Sequence, residues 1–324
     1  MSRVVQMHFE HDEPVEPSKI NGTYYQAEGP ADYILARMYA LAAIGAETDG
    51  FLDLIAQGTE FHGVRISLHE TSDEHDEEAL GDQNQRIVDH YTRIELHALK
   101  HLAIETLLRL FMAHRGIPPC PWLEISRQTN FRGYKKAVKR TIVKGDREEL
   151  VRDCAQLFLA TDRVPADSPV EAREAADNLA GFLQDFASAW LGQAKSYNST
   201  KHGLTAIPGS AVLDIGSSEA THSRWGEGDS LTHLTHEAVG DGERRWHMVT
   251  RWIRPREAMG TIVLVHLMLK ALWSIARCRY GFASEFTRFA LPPDVYSPSN
   301  LRDAESTIVE ESSLPLFTEL SQTD

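Results

Sequence analysis

The stretch QRIVDHYTRIELHALKHLAIETLLRLFMAHR, residues 85–115, decides the fold class. Val88, Tyr91, Leu96, Leu99, Leu102, Leu107, Leu110 and Phe111 recur at helical spacing among strong helix formers. Gly116, followed by Pro118 and Pro119, is a cap and then a breaker. A helix of roughly 30 residues spans about 45 Å at about 1.5 Å per residue. That is the width of a whole domain, so the stretch predicts the spine of a bundle.

Working outward, the chain predicts more helix on both sides. A helix opens at Pro30, with Ala31, Tyr33, Ile34, Ala36, Met38, Leu41 and Ala42 at helical spacing. A short helix over 51–56 and a short strand over 64–68 precede the spine. After it, Leu150, Val151, Cys154, Leu157 and Phe158 mark a helix over 147–160. A second long helix follows Ser168-Pro169, where Glu171 completes a capping-box pattern. Ala172, Ala176, Leu179, Phe182, Leu183, Phe186, Ala187 and Trp190 form its apolar face, and it stops at Gly203 after His202. The pattern then changes to a strand over 211–215, a Gly/Ser-rich loop over 216–230, and a hairpin turning at Gly240-Asp241-Gly242. A last apolar helix covers 257–277. The fold class expected is mainly α: a helical bundle with two long helices and a small antiparallel β-hairpin insertion. The expected division is a flexible N-terminal segment over 1–28, one helical domain over 29–292 with its β insertion at about 211–254, and an acidic, disordered tail over 293–324.

Composition agrees with a globular chain: 324 residues, 42% hydrophobic and 25% charged. Cys120, Cys154 and Cys278 are widely spaced, form no CxxC pair and are odd in number, which predicts a reducing, cytoplasmic setting. The N-terminal residues lack the apolar run of a signal peptide. Ile262 to Ile275 is the most apolar stretch, but it is short for a bilayer and His266 and Lys270 interrupt it. It reads as a core helix, with no membrane partner.

The formal charge of −14 opposes nucleic-acid binding at first sight, but it is concentrated. Residues 70–82 carry −7 and residues 297–324 carry −5; both read as loop or tail, which leaves the body near neutral. Walker A, GxGxxG, GxSxG and HExxH patterns are absent, which disfavours nucleotide hydrolysis, dinucleotide redox chemistry and zincin proteolysis.

The end of the second long helix concentrates chemistry in Tyr197-Asn198-Ser199-Thr200-Lys201-His202-Gly203. Asn198 and His202 are four apart and share a helix face, with Lys195 three residues before Asn198. A histidine moves protons near neutral pH, and a lysine beside it holds phosphate. The Asn-x3-His spacing resembles the end of the HEPN superfamily motif, in which an arginine and a following polar residue precede a histidine. Tyr197 stands here where that arginine would be, and Lys195 keeps a cation at an allowed gap. The resemblance implies an all-α, RNA-binding or ribonuclease protein that cleaves without metal or cofactor, typically as a dimer. His202 would then act on the ribose 2′-hydroxyl, with Asn198 orienting and Lys195 or Lys201 steadying the phosphate.

The spine helix carries a polar stripe at four-residue spacing: Arg93, His97, His101, Glu105 and Arg109. His97 and Glu105 lie about 12 Å apart along a helix axis, so the stripe alone does not converge on a metal, and none is expected. The stripe either forms a solvated face of i,i+4 pairs, or turns inward as a polar network supporting Asn198 and His202. Arg132, Lys135, Lys136, Lys139 and Arg140, beside Phe131 and Tyr134, form a basic segment that suits phosphate and base contacts or a solvated face. His233 and His236 fall on opposite faces of a strand, and Trp246 and Trp252 on one face, read as core. Two functions remain: a HEPN-like RNA-binding or metal-independent ribonuclease protein with RNA as partner, or a non-catalytic helical interaction protein acting as a homodimer.

Overall fold

A computed structural model describes residues 16–46, 59–61, 64–66, 77–163, 168–201, 206–215, 223–240, 243–289 and 311–320. The chain is mainly helical, with a small four-stranded antiparallel sheet. The spine is α3, Glu77–His114. On it pack α2 (Pro30–Ala46), α7 (Pro169–Lys201) and α8 (Pro255–Arg279). Leu99, Ile104, Leu107, Leu108 and Phe111 of α3 meet Trp190, Leu183 and Leu179 of α7 and Ile262, Val265 and Leu269 of α8 in one core. Helix α8 is long and apolar enough to cross a bilayer by length and composition, yet 67% of its most apolar window is buried in the fold.

The spine begins well before the expected residue 85. Glu77, Glu78 and Asp82, read from the sequence as loop, lie in its first turns. Its C-terminus follows expectation: Gly116 takes a positive φ of 69° ahead of the prolines. A short α4 (Pro121–Arg127) and α5 (Phe131–Val138) follow. The Asn130 side chain caps α5 by accepting from the Gly133 N–H at 3.1 Å. A π turn, Lys139–Val143, then leads to α6, Arg147–Phe158, capped by Asp146. Gly145 closes that turn where any Cβ would strike the Thr141 carbonyl oxygen. Ser168 caps α7 as its sequence predicts, accepting from the Glu171 N–H at 3.3 Å.

Both end segments carry regular structure. The segment over 1–28, expected to be flexible and ordered only in part, contributes α1, Pro17–Gln26. Aromatic packing holds it: Tyr25 is fully buried among Trp273, Tyr280 and Phe282, and Tyr24 stacks on Trp122. Tyr25 donates its hydroxyl to His114 Nε2 at 2.7 Å, and His114 Nδ1 donates to the Leu110 carbonyl at 2.7 Å. The tail over 293–324, expected to be disordered, contributes β6, Glu311–Leu320.

The sheet has order β3-β4-β5-β6, all antiparallel, with β3 at Ala206–Ile215, β4 at Ser223–Gly240 and β5 at Glu243–Trp252. The β4–β5 hairpin is the expected one. The loop expected to run to residue 230 is strand from Ser223, because β3 supplies a ladder partner along its whole length. Pro315 sits in edge strand β6, where its missing N–H costs no ladder bond on the open side. A separate two-stranded ladder pairs Thr59–Phe61 with Val64–Ile66, within the strand expected over 64–68. The short helix expected over 51–56 lies outside the described residues.

The inner face of the four-stranded sheet lies against α3 and α7, burying Leu231, His233 and Val249. Trp252 is buried at the sheet end and donates Nε1–H to the Ala211 carbonyl at 3.0 Å. Trp246, read as core, is only half-buried and packs on His236 on the outer face.

Candidate functional site

The polar stripe of α3 turns inward. His97 is 6% exposed and His101 only 2%. His101 lies between two α7 rings: Tyr197, with centroids 4.0 Å apart and planes 17° from parallel, and Trp190 at 6.0 Å. Trp190 in turn receives α5, with Tyr134 edge-on at 5.4 Å and Phe131 edge-on at 5.8 Å. Lys135 reaches over both Phe131, at 4.6 Å, and Trp190, at 5.9 Å. The spine, the basic helix and the end of α7 therefore converge on one ring cluster.

One turn further along the spine, Glu105 accepts from Arg109 at 2.8 Å, and Arg109 also donates to the Gln128 carbonyl. The Arg109 guanidinium lies 4.4 Å from the centre of the Tyr134 ring. Among the described residues, both ring nitrogens of His101, the Trp190 indole N–H and the Tyr134 hydroxyl are buried without a hydrogen-bond partner. Buried polar atoms pair in the large majority of cases, so four unpaired ones around a single tryptophan mark a place built for more than packing.

Both histidines are neutral near pH 7. Burial, then the charges of Lys100 and Arg251 and neighbouring His233, hold His97 down at about 3. Burial, then His97, Lys135, Lys100 and Arg251, hold His101 at about 3 as well. Lys135 is lowered by partial burial and opposed by Glu105. Burial pushes the Tyr134 phenol well above its ordinary value. A neutral imidazole accepts a proton or a hydrogen bond, and the surrounding cations favour an anionic ligand beside it.

The outer part of α5 is basic and open. Arg132, Lys136, Lys139 and Arg140 are exposed, as is Lys144, and none has an ion-pair partner among the described residues. Several arginines elsewhere in this acidic chain are paired: Arg37 with Glu95, Arg93 with Asp229, Arg115 with Asp153, Arg147 with Asp177 and Arg279 with Asp162. Phe131 stands exposed at the head of the basic face.

Not every expected residue is placed. His202 lies outside the described residues. Lys195, Asn198 and Lys201 fall on the last turns of α7, and their side chains are not among those described. Tyr197, from the same motif, is described and belongs to the cluster.

The sequence reading weighed His233 and His236 only as strand histidines and missed the group they belong to on the sheet. On the inner face, His233, Thr235 and Glu237 of β4 sit across from Val249, His247 and Arg245 of β5, with Arg251 across from Leu231. The alternate spacing of these residues was the available signal. Of these, His233, Thr235, Glu237, His247, Val249 and Arg251 line a cleft between the sheet and α7 with Gly192, Glu311 and Ser313. Among the described residues no three His, Cys, Asp or Glu side chains gather as metal ligands. Searches of family models, of curated proteins and of solved structures found nothing that matches this chain.

Proposed function

We propose that this chain is a HEPN-like RNA-binding protein whose α5 takes the phosphate backbone of a single strand and whose ring cluster lies beside the bound bases. The observation that carries the reading is the unpaired basic face. In a chain with 47 acidic and 33 basic residues, Arg132, Lys136, Lys139, Arg140 and Lys144 remain exposed and without a carboxylate partner among the described residues. Phosphates supply the counter-charge, and exposed Phe131 supplies a face for a base. Lys135 links this face to His101, with one side on Phe131 and its charge felt at the imidazole. Metal-independent cleavage, with His202 as the proton-transfer group and Lys195, Asn198 and Lys201 around the phosphate, is the catalytic form of the same proposal.

The test is binding of a fluorescent single-stranded RNA over a range of salt. Changing Arg132, Lys136, Lys139 and Arg140 together to Gln removes four phosphate contacts, at about 0.7 in the log–log salt slope for each on a single strand. The slope should fall by about three. An unchanged slope overturns the interface. Cleavage is tested separately, by wild type and His202→Ala with and without EDTA. The catalytic form requires loss in the variant and indifference to the chelator.

A second reading, a non-catalytic homodimer, draws on the outer face of the sheet. There Leu234, Met248 and Leu314 stand side by side across three strands, all exposed. Light scattering of wild type against Met248→Lys decides it. A dimer that Met248→Lys dissociates supports this reading, and a wild-type monomer ends it.

A further inference from the structure

The seam where the sheet meets the helices holds a second site that the RNA reading does not use. A cleft there is lined by His97 and Lys100 of α3, Gln193 of α7, Arg251 and Trp252 of β5, and Arg254 and Glu257 at the start of α8.

Three cations and one carboxylate face this cleft. Lys100, Arg251 and Arg254 are largely buried, with side-chain exposures of 14%, 12% and 17%. Glu257 divides its two oxygens, one on Lys100 at 2.9 Å and the other 3.6 Å from Arg254. Arg251 turns one nitrogen to Glu311 on β6, and its Nε–H is buried without a hydrogen-bond partner among the described residues. Two guanidinium groups and an ammonium converging in a largely buried cleft make a favourable place for an anionic group. His97 lines the cleft as a neutral ring rather than a fourth charge, so it adds no further repulsion. The elements meet only when the sheet docks, so the cleft is a product of the tertiary fold.

We infer that this cleft binds a phosphate group, held by Arg251, Arg254 and Lys100 with His97 at its side. Guanidinium groups bind tetrahedral oxyanions through paired N–H donors, and two arginines with one lysine match a terminal phosphate better than the single charge of a carboxylate. The phosphate is either free in solution or the end group of an RNA strand. The inference stands apart from the α5 interface, because none of its residues belongs to that face.

The experiment uses the whole chain. Binding of inorganic phosphate is measured by calorimetry and by phosphorus NMR line broadening, against chloride at equal ionic strength. A second arm compares 5′-phosphorylated with 5′-hydroxyl single-stranded RNA of the same sequence. Arg251→Gln and Arg254→Gln should each weaken phosphate binding about tenfold or more, as expected for a lost hydrogen bond between charged groups. Glu257→Gln should tighten it, since the variant removes a competing carboxylate. A gain of binding cannot come from misfolding. Saturable binding of free phosphate supports the site, and preference for the phosphorylated RNA assigns the group to a strand end. A wild-type response equal to that of chloride in both arms overturns the inference, as does weaker binding in Glu257→Gln. Either result leaves the salt-slope test of α5 unaffected.

Discussion

The imidazole of His101 lies flat on the phenol ring of Tyr197, 4.0 Å between centroids, and hydrogen-bonds to nothing among the described residues. A stack of this kind uses the ring as a surface and leaves its two nitrogens idle. Replacing the ring by one of similar shape without nitrogens separates packing from polarity. His101→Phe keeps the stack and removes two buried unpaired atoms, so it should stabilise the fold by about 1 kcal/mol. Urea unfolding measures this. A destabilised variant would mean that a bound partner satisfies those nitrogens. In that case RNA or phosphate should stabilise wild type and not the variant.

Acid should weaken the fold through three histidines. His97 and His101 are held at about 3 and His114 at about 4, each primarily by burial, against about 6.5 for the unfolded chain. The folded state therefore binds fewer protons than the unfolded state between these limits. The contribution is complete above about pH 6.5 and is lost as pH falls toward 4 and then 3. Each histidine contributes a slope of up to about 1.4 kcal/mol per pH unit in that window, so all three give about 4 kcal/mol per unit. Unfolding by urea at a series of pH values from 7.5 to 4.5 reads the slope. His97→Gln should flatten it by about a third. An equal slope in the variant would show that His97 titrates normally.

The long helices were legible because their apolar spacing is local: Leu96, Leu99, Leu107 and Phe111 sit where a 3.6-residue period demands, and all are buried. Capping at Ser168 and the stop at Gly116 were legible for the same reason. The stripe of His97 and His101 was not. Polar residues at four-residue spacing suit solvent or a network equally, and only the position of Trp190 and Tyr197 on another helix turns them inward. Strand β6 escaped because Ser312, Leu314 and Pro315 carry too weak an alternation to announce a strand. Its partner β5 is about sixty residues away in sequence. Arg251, His97 and Glu257 were invisible as a group, since they meet only after the sheet docks.

Helix α5 has eight residues, and its first turn depends on one side chain. Asn130 accepts from the Gly133 N–H, and its loss leaves that donor to water at about 1 kcal/mol. Asn130→Ala should therefore destabilise the fold by about 1 kcal/mol and fray the turn carrying Phe131 and Arg132. Weaker RNA binding should accompany the stability loss, with Asn130→Asp restoring both. Anisotropy and urea unfolding on the three proteins check the link. RNA affinity unchanged in Asn130→Ala would detach the first turn of α5 from the interface.

Strand β6 does two jobs, and removing it should expose both. Its backbone covers the edge of β5 from Glu243 to Arg251, and its Glu311 carboxylate faces the Arg251 guanidinium. A chain ending at residue 310 leaves an open ladder beside exposed Met248 and half-buried Trp246, a template for pairing with another copy. It also leaves Arg251 with its charge uncompensated in the seam. Light scattering of the shortened chain should show concentration-dependent oligomers, while Glu311→Gln stays as soluble as wild type because the edge remains covered. The same two proteins separate the charge effect from the edge effect. Both lose the carboxylate, so both should bind inorganic phosphate more tightly than wild type if Glu311 competes for Arg251. Oligomers in Glu311→Gln, or a soluble monomer in the shortened chain, would show that the β5 edge is protected by something other than β6.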